Sequence, residues 1–296
     1  MLALETLMTP FPIPVVAFGA GSQTEDEQLD YLPLPSDMAT YRPPILPEPQ
    51  ELAGCAAARQ ALHGVLALLE SAAEGGPGGQ VSLQTLPAAE RGLINQVLAE
   101  GEVSAIVQDA AGQGIETRIQ ESVFAGVWRL TTWDAKGEKL LDDAIEVAPV
   151  PVLLRRIAEA DVRDQPTWQG PLPPNVQSAP LLVGEIRDHA QRWQPGQPPH
   201  VVNLSLLPVS PEDIAFLDHE LGTGRVLLLS RGYGNCRITN TRLPNCWRVV
   251  YYNAMDTVIL NTVEVVDMPE VAMAAREDLR DSHTRLLDVA GYLASA

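Results

Sequence analysis

Cys236 and Cys246 stand in the stretch CRITNTRLPNC, and His189, His200, His219 and His283 are spread over the same half of the chain. Thiolates and imidazoles are the ligands that zinc and iron–sulfur clusters use, and a thiol pair can also carry electrons. Zinc sites are usually announced by close pairs such as C-x2-C or H-x3-H, and no such pair occurs here. Cys236 begins one expected strand and Cys246 the next, so a hairpin is expected to bring them near each other. A redox or iron–sulfur role for Cys236 and Cys246 is therefore one reading. Two buried, inert thiols and no cofactor is the reading the spacing favours.

Other chemistries find less. FGAGSQ (Phe18–Gln23) and GYGN (Gly232–Asn235) are glycine loops, but neither fits G-x-x-x-x-G-K-[ST] or a G-x-G-x-x-G between strand and helix. GYGNC reads better as a turn. Serines in ESVFAG and LLSRG lack a G-x-S-x-G elbow. Asp142, Asp143 and Glu146 could pair on one strand, yet such carboxylates more often form a solvated edge that discourages aggregation. A hydrolase reading needs a water-excluding pocket of titratable groups. No catalytic residue is assigned.

The elements that must hold these residues follow from pattern and bulk. The chain has 296 residues and a formal net charge of -18. A polyanion repels phosphates, so nucleic acid is not an expected partner. No run of eighteen or more apolar residues is present, so no membrane span is expected. Three cysteines, an odd number without a secretory leader, point to a reducing compartment, hence a cytoplasmic location. Residues 1–52 are proline-rich and read as an extended arm. Phe11, Ile13, Val15, Val16 and Phe18 suit packing on the body or on a partner better than a solvated tail.

Beyond the arm the pattern is α+β, and it occurs twice. AAARQALHGVLALLES sets Leu62, Val65, Leu66 and Leu69 on one helical face. VSLQTLP reads as a strand, and Pro87–Leu98 as a second helix, which Gly101 is expected to end in left-handed geometry. VSAIV, IETRIQES, VFAGVWRLTTW and LLDDAIEVAPV read as four strands. After the proline-rich Arg163–Gln177 linker the plan returns. A helix runs from Ser178, VVNLSLLP follows, and Ser210-Pro211-Glu212-Asp213 starts the next helix with a cap, a first-turn proline and acidic residues. VLLLS, CRITNTRL, CWRVVYY and VILNTVEVV close the copy. Gly101 matches Gly224, Trp128-Arg129 matches Trp247-Arg248, and Glu146-Val147 matches Glu264-Val265. The offsets are 123 (224 − 101), 119 (247 − 128) and 118 (264 − 146). The expectation is an internal duplication over 53–165 and 166–296, each unit carrying helices on one face of a mainly antiparallel sheet. The long last helix, from Pro269 onward, is expected to dock on the body.

Trp128, Arg129, Trp247, Arg248, Gly101 and Gly224 therefore read as structural anchors. On a strand Trp128 and Arg129 point to opposite faces. Each tryptophan is expected to pin the sheet to its helices, and each arginine to pair with a carboxylate such as Glu146 or Glu264.

EGEVSAIV, IQESVFAGVWRL and GYGNCRITNTRLPNCWRVVYYNAMDTVILNTVEVVDMPEVAMAAREDLRDS resemble the HupH/HyaF/HoxQ hydrogenase-expression proteins, and the N-terminal FPIPVVAFGAGSQ segment is similar too. The resemblance implies a non-catalytic accessory chaperone for maturation of uptake [NiFe]-hydrogenase. It further implies binding of the small-subunit precursor before export, and a thioredoxin-like companion. It supplies no catalytic residues. An acidic surface suits the basic twin-arginine segment of such a precursor. A self-associating homo-oligomeric scaffold is a further reading.

Overall fold

The first copy opens with helix α1 (Ala56–Ala73), which buries Ala58, Ala61, Leu62, Val65 and Leu69 along the face its apolar spacing defines. This computed structural model describes residues 46–47, 54–108, 114–164, 167–232 and 234–293. The arm expected over 1–52 lies outside the described residues, apart from Leu46 and Pro47. After α1 come β1 (Gly79–Ser82), α2 (Ala88–Leu98), β2 (Val103–Gln108), β3 (Glu116–Glu121), β4 (Val127–Trp133), β5 (Leu140–Val147) and α3 (Val152–Ala160). The second copy gives α4 (Ala179–Arg192), β6 (His200–Asn203), α5 (Pro211–Leu221), β7 (Thr223–Ser230), β8 (Asn235–Thr241), β9 (Cys246–Tyr252), β10 (Val258–Val265) and α6 (Arg276–Leu293). The order of elements is the duplicated α-β-α-β-β-β-β plan. The first strand of each copy starts early and stops short. VSLQTLP keeps its ladder only to Ser82, and VVNLSLLP turns into a 3-10 helix at Leu204–Leu206.

The ten strands among the described residues form one antiparallel sheet in the order β1-β5-β4-β3-β2-β7-β8-β9-β10-β6. The second copy repeats the first in reverse, so the copies meet at β2 and β7. There Val103 faces Ser230, Ala105 faces Leu228 and Val107 faces Val226. With the offset of 123, Val103 corresponds to Val226 and Ala105 to Leu228. The seam therefore maps onto itself when the copies are exchanged, as a two-fold axis through the Ala105–Leu228 pair requires.

Strand alternation divides the core. Val127, Ile145 and Val147 face α1, α2 and α6 in one lobe. Val263, Val265 and Cys246 face α4 and α5 in a second lobe on the same side of the sheet. The opposite side carries a continuous cluster across the seam: Ile119, Trp128 and Leu130 with Leu228, Ile238, Trp247 and Val249. It is covered by α3 through Leu154 and by the segment of Met268 and Ala272.

The copies use the same devices to start their helices. Glu90 of α2 accepts a 2.7 Å bond from the amide of Ala58 in α1. Asp213 of α5 accepts from the amides of Gln177, Ser178 and Ala179 at 2.8–3.0 Å at the start of α4. It also closes a capping box with Ser210 on its own helix. Burial pushes the Asp213 carboxyl up, but the bonds from Ala179, Ser210 and Gln177 outweigh it and hold the group below its usual range.

The copies part after their last strand. Pro151 and Pro269 have nearly the same backbone angles, φ -55 with ψ 129 and 133. Pro151 leads into α3, whose first amide, Val152, donates a 2.7 Å bond to Glu146. Pro269 leads into a single 3-10 turn, Glu270–Ala272. The chain then crosses to the first lobe, where α6 buries Leu279, Leu286 and Leu293 with α1. Arg276 donates to the carbonyls of Ala73 and Glu74, two of the unpaired acceptors at the end of α1. The last helix thus docks, on the partner copy.

Candidate functional site

Both tryptophans are packing groups. Trp128 and Trp247 are fully buried in the cluster that crosses the seam. The indole nitrogen of Trp128 donates to the carbonyl of Ala148 at 2.8 Å, and that of Trp247 to Val266 and Asp267 at 3.2 and 3.1 Å. Ala148 and Val266 are the residues that follow the last strand of each copy. Each ring therefore ties the middle of its sheet to the exit of its copy.

Arg129 and Arg248 lie on the opposite face. Their partners differ from the expected Glu146 and Glu264. Trp128 stands directly opposite Glu146, and Trp247 opposite Glu264. Directly opposed residues share a face, so those glutamates belong to the tryptophan side. Arg129 instead pairs with Asp143, which also holds Arg91 at 3.3 Å, and donates to Asn95 of α2 at 3.0 Å. Asp143 and Glu146 are buried, and β1 lies outside β5, so these carboxylates are not a solvated edge. Arg248 reaches Asp218 of α5 at 3.4 Å. Asp218 is the counterpart of Asn95, and Asn261 that of Asp143. Among the described residues, Arg248 Nη1 and Asn261 Oδ1 are buried without a hydrogen-bond partner.

Gly101 does not end its helix in left-handed geometry; the positive φ falls on Ala99 (φ 46, ψ -169) and, in the second copy, on Gly222 (φ 66, ψ 162), both extended in ψ. A side chain at Gly101 would collide with the backbone of Ser122, and one at Gly224 with Asn240. These glycines are required by close approach.

The structure does not bring Cys236 and Cys246 together. In an antiparallel hairpin the starts of consecutive strands lie at opposite ends. Cys236 pairs with Tyr251, five residues along β9 from Cys246, or roughly 17 Å at strand rise. They also face opposite sides of the sheet, in different clusters. Burial pushes both thiols up to about 12, away from the thiolate that ligates metal or attacks a disulfide.

Where the end of α3 meets the β8–β9 turn lies a cavity of about 330 Å³, lined by Arg155, Glu159, Asn240, Cys246, Trp247 and Asp267 among others. Beside it Asp161 accepts from the amide of Arg225 at 2.7 Å and from Asn240 at 3.0 Å. These groups serve each other and tie the first copy to β7 and β8. Glu121, the counterpart of Asn240, is pushed up to about 7, first by burial and then by Glu102 and Asp278, against the Gly126 amide bond that lowers it.

The two outer edges of the sheet differ most. On β1, Gln80 and Ser82 are exposed, and Gln80 Nε2 donates to Glu146 at 2.9 Å. On β6 the position of Gln80 is taken by Val201, opposite Glu264. Val201 is 46% exposed, Leu206 81% and Ile259 59%. The Asn261 amide donates to Ser205 Oγ at 2.8 Å, which holds the Leu204–Leu206 turn on β10 beside Ile259. An edge strand offers unpaired backbone groups, and here apolar side chains flank it. Sequence reading missed this surface because VVNLSLLP reads only as the counterpart of the strand VSLQTLP; its signal is an apolar run longer than the strand. His189 and His200, scattered in sequence, meet at the same edge.

Comparison with known proteins gives consistent relatives. The family model described as HupH hydrogenase expression protein, C-terminal conserved region, matches residues 55–167 and again 176–293. The chain is 49% identical over 290 residues to hydrogenase expression/formation protein HoxQ of Cupriavidus necator, covering 97% of this chain and 100% of the relative. It is 42% identical over 285 residues to hydrogenase expression/formation protein HupH of Rhodobacter capsulatus, covering 96% and 98%. To the hydrogenase-1 operon protein HyaF of Escherichia coli it is 33% identical over 282 residues, covering 94% and 96%. Among solved structures, hydrogenase expression protein HupH from Thiobacillus denitrificans matches with a TM-score of 0.35 at 28% identity, over 37% of this chain and 92% of that one.

Proposed function

The chain belongs to the HupH hydrogenase expression protein family, and on that premise we propose that it is a non-catalytic chaperone that binds a hydrogenase small-subunit precursor before export. An accessory role in hydrogenase maturation follows from the family; the partner and the mode of action are our reading. The observation that carries it is relatedness to hydrogenase expression/formation proteins over nearly the whole chain. The β6 edge supports a binding role. An extended segment can pair with the backbone groups of β6 that no strand among the described residues covers, while Val201, Leu206 and Ile259 receive alternate side chains. The charge of -18 favours a partner segment rich in arginine or lysine, and that attraction weakens with salt. A cytoplasmic location fits such a step. No helix among the described residues is long and apolar enough to cross a membrane.

Capture of the small-subunit precursor, with and without its leader, across a salt series tests this reading. Binding that needs the leader and falls as salt rises is the expected result. Capture that is indifferent to both leader and salt would reject the electrostatic part, and no capture at all would reject the partner.

A further inference from the structure

Glu185 and His189 sit one turn apart on α4, and His200 begins β6 beside them. The two imidazole rings lie parallel, 2° apart in plane, with centroids at 3.5 Å. His200 Nε2 is 2.9 Å from Glu185 Oε1. One ligand atom from each residue can be chosen so that all three lie within 4.8 Å of one another. Glu185 and His189 are exposed and His200 is half-buried. From this geometry we propose that Glu185, His189 and His200 form a binding site for a first-row divalent ion of the zinc or nickel class.

Two imidazoles and one carboxylate are a borderline-soft donor set, which suits zinc and nickel better than calcium or magnesium. Ligand-to-metal distances are about 2.0–2.1 Å, so the three atoms close around an ion by small side-chain rotations. The exposed side leaves a coordination position for water or for a side chain of a bound partner. The strongly negative protein concentrates cations near it.

The first copy supplies the internal control. Gly79 begins β1 and pairs with Val147, as His200 begins β6 and pairs with Val265. Leu68 packs against Gly79, as His189 packs against His200. One turn before Leu68 stands Gly64, in the place of Glu185. The same corner of the same unit thus folds with Gly64, Leu68 and Gly79. The fold does not require three ligating side chains there, and the second copy has all three.

The test is calorimetric titration of the full-length, tag-free chain with Zn²⁺ and with Ni²⁺. We expect one ion per chain, with affinity weakened at least tenfold in His200→Ala and in His189→Ala, and unchanged in His63→Ala. Circular dichroism of each variant confirms that the fold is kept, as the Gly-Leu-Gly corner of the first copy predicts. Absence of binding, or an affinity and stoichiometry unchanged in the His189→Ala/His200→Ala double variant, would overturn the site. Neither outcome bears on precursor binding, which the capture experiment reads separately.

Discussion

The two copies share a skeleton and differ in their polar residues. Trp128 and Trp247 fill the same position and bond to the same point of the chain. Glu90 and Asp213 cap the same helix start. The arginines beside the tryptophans do not have the same neighbourhood. Arg129 meets a buried aspartate that it shares with Arg91, whereas Arg248 has Asn261 at the corresponding position, reaches only the half-exposed Asp218 at 3.4 Å, and among the described residues its Nη1 makes no hydrogen bond. At the outer edge, Gln80 in one copy is Val201 in the other. Apolar positions define the unit, because a lost side chain in a packed core leaves a cavity. Polar positions at edges and helix faces can diverge, and there the second copy carries exposed apolar groups and the Glu185, His189 and His200 cluster.

Substitutions can break or sharpen that comparison. The largest effect is expected at the shared anchors. Trp128→Ala and Trp247→Ala should each cost about 3–5 kcal/mol in denaturant unfolding, within about 1 kcal/mol of each other. A near-silent result in one copy would end the equivalence. Next is the buried aspartate. Asp143→Asn should cost about 3 kcal/mol by leaving two arginines short of their counter-charge. The reciprocal Asn261→Asp should raise stability by about 1 kcal/mol, by adding to the exposed Asp218 a buried carboxylate of the kind Arg129 already has. If Asn261→Asp destabilises instead, the two arginine sites are not alike.

Glu121 and Asn240 give a test by pH. The folded-state value for Glu121 is raised from 4.5 to about 7. The folded chain therefore binds the proton more tightly than the unfolded one. Stability is full below about 4.5 and falls as pH rises towards about 7. Glu121→Gln keeps an acceptor for the Gly126 amide and removes that loss. The variant should be about 3 kcal/mol more stable than the parent at pH 8, with the gain shrinking to nothing near pH 4.5. A gain independent of pH would point to packing rather than charge.

Much of this was legible in the sequence. Helix spacing, the Ser210–Asp213 cap and the repeated Trp-Arg, Glu-Val and Gly positions define the duplicated unit, because local rules decide them. What was not legible depends on pairing over distance. Nothing in VSAIV or VLLLS states that β2 and β7 join the copies into one sheet. Glu146 was the expected partner of Arg129, but strand alternation puts it on the other face and gives Arg129 to Asp143. Cys236 and Cys246 looked close because both begin strands of one hairpin, whose starts are its far ends. His189 and His200 looked scattered, although a helix end and a strand start meet there. The β6 edge was hidden in an apolar run that outlasts its strand.

The central claim is that the chain works by binding, through the edge where its copies differ. The most direct measurement is the affinity of the full chain for the small-subunit precursor, comparing a Leu206→Lys/Ile259→Lys variant with a Gln80→Lys variant at the opposite edge. The account predicts at least tenfold weaker binding for the first and parental binding for the second. Equal binding by all three chains, or a loss confined to the Gln80 variant, would contradict it.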